Sequence, residues 1–84
     1  MKYWFYVAFR FSHDISYLID LRNRLQMMNF EIDDESITDV EDPLHGRFVI
    51  MKVYGDADIL KAMSYKIKEI RCGKINGPVL LLSG

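Results

Sequence analysis

The chain has 84 residues, half of them apolar and 27% charged, with a formal net charge of −1. That length makes one domain with a modest core. The near-neutral balance excludes a global field that recruits nucleic acid or anionic lipid. Charge is unevenly spread, however. Seven of the twelve acids (Glu31, Asp33, Asp34, Glu35, Asp39, Glu41, Asp42) fall in a stretch without Lys or Arg, and five of the eleven bases (Lys61, Lys66, Lys68, Arg71, Lys74) fall in another. Cys72 is the only cysteine, so no intrachain disulfide can form, and a cytoplasmic setting is expected.

Tyr3 to Phe11, YWFYVAFRF, is rich in aromatic and β-branched residues and predicts a strand rather than a signal peptide, since Arg10 interrupts it and no small-residue cleavage site follows. Its alternation puts Tyr3, Phe5, Val7, Phe9 and Phe11 on one wholly apolar face. Lys2, Trp4, Tyr6, Ala8 and Arg10 take the other. Ser12-His13-Asp14 then breaks the strand and caps a helix. From Ile15 to about Asn29, Ile15, Leu18, Leu21, Leu25 and Met28 recur at spacings of three and four, which predicts an amphipathic helix with one buried stripe.

In the acidic stretch, Ile32, Ile37 and Val40 do not share one parity. A strand over Ser36 to Glu41, bulged or at a sheet edge, accommodates them. Pro43-Leu44-His45-Gly46 makes a turn, and Arg47 to Tyr54 alternates as a second well-defined strand. Leu60, Met63, Ile67 and Ile70 then recur at helical spacing, so a second helix is expected from Asp56 to Cys72, ended by Gly73. Val79 to Leu82 is a short closing strand. The order β-α-β-β-α-β predicts a ferredoxin-like plait, a four-stranded antiparallel sheet with the first and third strands central and two helices on one face. The alternative is a β-rich dimer completed by exchange of the last strand.

Such a plait leaves one sheet face uncovered. The apolar face of the first strand must meet the helices, which sends Trp4, Tyr6 and Arg10 to the open side. Lys52 sends Phe48, Ile50 and Tyr54 with it. Trp4, Tyr6, Arg10, Phe48, Ile50, Lys52 and Tyr54 are therefore the expected protein-binding surface, because exposed aromatic patches on monomers are commonly used and Trp, Tyr and Arg dominate interface energetics. The expected partner is a protein, most simply a second copy of the chain.

Two further readings follow from resemblances. Asp14 to Ile32, with its regular leucines and closing Asn29-Phe30-Glu31-Ile32, resembles the first helix of an ACT domain, and that resemblance implies a small-molecule-sensing module at paired plaits. It covers residues 14–32 alone, with Ser12-His13-Asp14-Ile15 and Met28 standing where that family usually has glycines, so no ligand residues are carried over. Gly46-Arg47-Phe48-Val49 is similar to a fragment of the third-strand pattern of RNA-recognition motifs, which implies stacking of single-stranded RNA on Phe48. The acidic stretch opposes that reading.

Neither a catalytic nor a metal site is assigned. Consecutive Ser12-His13-Asp14 cannot form a triad's hydrogen-bond chain. His13, His45 and Cys72, which a plait places at one end of the sheet, lack ligand spacing. Asp33-Asp34-Glu35 lacks the glycine and spaced ligands of a calcium loop. The expectation is a non-enzymatic protein without a cofactor.

Overall fold

The computed structural model describes residues 1–10, 15–62, 66–73 and 75–83. In chain order these form β1 (Tyr3–Arg10), α1 (Ile15–Met27), β2 (Glu31–Asp42), β3 (Gly46–Gly55), α2 (Ala57–Ala62), β4 (Lys66–Arg71) and β5 (Pro78–Ser83). The five strands make one mixed sheet in the order β2-β3-β1-β5-β4. β1 pairs antiparallel with β3 and parallel with β5, and β4 pairs antiparallel with β5.

This overturns the expected four-stranded antiparallel plait. The error lies in the second half of the expected helix, where Lys66–Arg71 is an extra strand. Ile67 and Ile70 fit helical spacing, yet as neighbours of opposite parity they also fit a strand between two apolar layers. Ile67 packs with the cluster beneath the helices, while Ile70 and Cys72 belong to the cluster on the other face. Burial on both sides is gained only by the strand, and that tertiary gain overrides the local pattern. Gly73 accordingly follows a strand instead of closing a helix. The Ser12-His13-Asp14 cap, Phe11 and Met63 lie outside the described residues.

The apolar face of β1 is covered as its composition requires. Phe5, Val7 and Phe9 form one cluster with Leu21 and Leu25 of α1, Ala57 and Leu60 of α2, Met51 and Val53 of β3, and Leu80 and Leu82 of β5. The helix α1 ends in a Schellman arrangement. The Phe30 amide donates to the Leu25 carbonyl and the Asn29 amide to the Gln26 carbonyl, both at 3.0 Å. Asn29 takes the left-handed conformation this closure needs, at φ 66°. Phe30, just beyond it, is buried and stands edge-on to Phe5, with ring centroids 6.0 Å apart.

The opposite face is also closed, although neither described helix contributes to it. Ala8, Phe48, Ile50, Val79 and Leu81 are buried there together with Val40 of β2 and Ile70 and Cys72 of β4 and its end. β2 and β4 are opposite edges of the sheet. Right-handed strand twist accumulates across five strands and coils diagonal corners toward one face. The end of β2 thereby approaches the end of β4, with Val40, Ile70 and Cys72 in one cluster; burial pushes the Cys72 thiol up, and the Asp42 charge adds to it. The thiol is held in its neutral form, so Cys72 acts as a small core residue.

β2 reconciles its conflicting parities with a bulge. Asp33 pairs with Lys52 and Thr38 with Ile50, so residues 34–37 stand opposite Met51 alone. Ile32 and Ile37 consequently face the helix-side cluster and Val40 faces the other. Ser36 stitches the bulge down: its hydroxyl donates to the Asp33 carbonyl at 2.6 Å and accepts from the Lys52 amide at 2.8 Å.

Two substitutions test this packing. A methyl group at Gly55 lands inside the Phe30 ring, so Gly55→Ala is expected to destabilise by ~1–3 kcal/mol, read as a lowered denaturation midpoint at unchanged slope. Asn29→Ala is expected to cost ~1 kcal/mol, because alanine adopts the left-handed region at a steric penalty, whereas Asn29→Gly keeps the wild-type midpoint or raises it.

Candidate protein-binding surface

The register of three strands assembles the candidate surface. Trp4 of β1 lies opposite Tyr54 of β3, and Tyr6 opposite Lys52. On β2, Glu31 lies opposite Tyr54 and Asp33 opposite Lys52. Cross-strand partners share a sheet face, so two rows result, Glu31-Tyr54-Trp4 and Asp33-Lys52-Tyr6. The rings of Trp4 and Tyr54 are tilted by 53° with centroids 5.3 Å apart, within the range of favourable aromatic pairs. The Lys52 ammonium nitrogen stands 5.7 Å from the Trp4 ring centroid, close enough for a cation–π contact. Trp4 is 47% exposed, while Tyr6, Lys52 and Tyr54 are half-buried. The corner is thus an indole platform held from two sides.

Four of the seven expected residues, Trp4, Tyr6, Lys52 and Tyr54, come together. The other three do not join them. Phe48 and Ile50 have the expected parity but are only 0% and 1% exposed, because the coiled sheet covers them with Val40, Ile70 and Cys72. Arg10 is exposed at the far end of β1, where its guanidinium donates to the His45 carbonyl at 3.1 Å. Buried Phe48 presents no ring face on which a base could stack. Glu31 and Asp33 were missing from the expected set. Their place beside the aromatic rings depends on the pairing of β2 before its bulge, which alternation within the acidic stretch does not reveal.

The acidic rim is positioned from α1. Arg22 grips Asp34 with two hydrogen bonds, from Nε at 2.8 Å and from Nη2 at 2.7 Å. This bidentate contact holds the Asp34 carboxyl below the ordinary carboxylate range and raises the Arg22 guanidinium in turn. Asp33 accepts from the Glu35 amide at 3.2 Å, which orients its carboxylate within the bulge. At the other end of β2, Asp42 accepts the Leu44 and His45 amides and so closes the turn into β3.

Among the described residues no three His, Cys, Asp or Glu side chains come together as metal ligands. His13 lies outside them. No helix among the described residues is long and apolar enough to cross a membrane. No protein-family model, curated protein or solved structure matches the chain.

The Arg22–Asp34 contact has a definite pH sign. A carboxyl held low when folded contributes stability that is fully present above its unfolded pKa, ~3.9, and is lost as pH falls through the folded value. The melting-temperature gap between wild type and Arg22→Gln is therefore expected to be constant near neutrality and to close on acidification below the unfolded value. A gap that persists in acid would assign the effect of Arg22 to packing.

Proposed function

We propose that the chain is a non-enzymatic, cytoplasmic binding module that associates with a second copy of itself through the Trp4 corner. The observation that carries this reading is the half-exposed indole of Trp4, buttressed by Tyr54 and Lys52. A large ring already held by neighbours loses little side-chain freedom when a partner covers it, so more of its burial appears as affinity. The charges around it favour a twofold arrangement. A symmetric interface must be complementary to itself, and this corner carries Lys52 next to the rings with Glu31 and Asp33 alongside. Rotation about an axis near Trp4 sets the lysine of one copy against the acids of the other, which fixes orientation more than it adds affinity.

The RNA-binding reading draws less support, because the ring it requires, Phe48, is buried. The small-molecule-sensing reading has no site geometry behind it.

Light scattering over a concentration series tests the proposal. At about 1 M salt, where charges act over ~3 Å, wild type is expected to approach the mass of a dimer. Trp4→Ala and Tyr54→Ala are each expected to weaken the dimer by about tenfold or more, equivalent to ~1.4 kcal/mol, with circular dichroism unchanged. A wild type that stays monomeric throughout the series overturns the reading.

A further inference from the structure

The two free edges of the sheet have opposite charge. β2, with a strand on one side only, carries Glu31, Asp33, Asp34, Glu35, Asp39, Glu41 and Asp42. Arg22 and Arg47 offset Asp34 and Asp39, at 2.7 and 2.8 Å, and the strand stays acidic. β4, the other edge, reads KIKEIR, three bases against one acid, and its Lys68 and Arg71 are exposed.

Charged side chains on an edge strand ordinarily prevent sheets from joining. Here they do so selectively. Two β2 edges repel one another, and so do two β4 edges, since like charges directly opposite destabilise a strand pair. A β2 edge meeting a β4 edge encounters no such barrier. Strand direction agrees with this pairing. β3 runs against β1 and β2 against β3, so β2 is parallel to β1; β5 is parallel to β1 and β4 runs against it. When copies are laid side by side in one orientation, the β4 of one is antiparallel to the β2 of the next. The six residues of β4 are one more than the five of the uninterrupted part of β2, Thr38 to Asp42, beyond the bulge. Within one molecule the two edge strands contribute Val40 and Ile70 to one cluster, and among the described residues neither has a second strand neighbour.

We infer that β4 is a docking edge for the acidic β2 of another copy, giving head-to-tail continuation of the sheet. The contact is heterologous, so it propagates or closes a ring rather than stopping at two copies. It is a separate contact from the twofold one at Trp4 and does not rest on it.

Sedimentation velocity with charge-swapped full-length chains tests the inference. At about 0.01 M salt, where charges act over ~30 Å, wild type is expected to form species larger than a dimer as concentration rises. At about 1 M salt, where the range is ~3 Å, those species are expected to vanish. Lys68→Glu/Arg71→Glu makes both edges acidic, and Asp39→Lys/Glu41→Lys turns the docking segment of β2 basic. Each variant alone is expected to lose the larger species, and an equal mixture of the two to regain them. Trp4→Ala keeps concentration-dependent growth at low salt, built from single copies, so failure of the twofold contact leaves this result intact. The inference is overturned if wild type does not grow beyond a dimer at low salt, if growth survives either charge variant alone, or if the mixture stays small.

Discussion

A central strand that is apolar on both faces governs this molecule. β1 pairs on both edges, and its residues Val7, Ala8 and Phe9 point to alternate sides with at most 2% exposure. Leaving either side wet would forfeit much of the hydrophobic contribution available to so small a chain. The described residues form two helices, and both lie over the side that carries Phe5, Val7 and Phe9. Ala8 and its neighbours Phe48, Ile50, Val79 and Leu81 must be covered by something else. The sheet covers them itself, by coiling until Val40 at one edge and Ile70 at the other close over the middle.

That closure also decides where the surface chemistry lies. Coiling shelters the centre of the face and leaves one end of it open, where Trp4 and Tyr54 meet beyond the reach of Val40 and Ile70. The aromatic corner is the part of the face that twist does not cover. The bulge in β2 has a matching effect. It lets Ile32 and Ile37 reach the helix-side core while directing Asp33 and Asp34 outward, so one irregularity serves the interior and sets the acidic rim.

The sequence carried much of this in its periods. Alternation in 3–11 and 47–54 identified β1, β3 and the side each presents to the helices, and the spacing of Leu18, Leu21 and Leu25 identified α1. The parity conflict of Ile32, Ile37 and Val40 pointed to an irregular edge strand, which β2 is. What periods could not convey was burial from two sides. Leu60, Met63, Ile67 and Ile70 satisfy a helical period, whereas Ile67 and Ile70 serve different cores on opposite faces of β4. With β4 hidden in that pattern, the periods predict four strands and a wholly open face, whereas Phe48 and Ile50 lie in its sheltered centre. Trp4, Tyr6, Lys52 and Tyr54 were legible because their grouping needs only the antiparallel neighbourhood of two adjacent strands.

The parallel ladder between β1 and β5 has a consequence for how the molecule is made. Tyr6 is in register with Val79, and Phe9 with Leu82, so one flank of the innermost strand is completed by a segment about 70 residues further along. During synthesis β1 leaves the ribosome with that flank bare and keeps it so until β5 has followed. Closing so long a loop is among the slow steps of folding, and the interval exposes an aromatic-rich ribbon to any extended segment nearby.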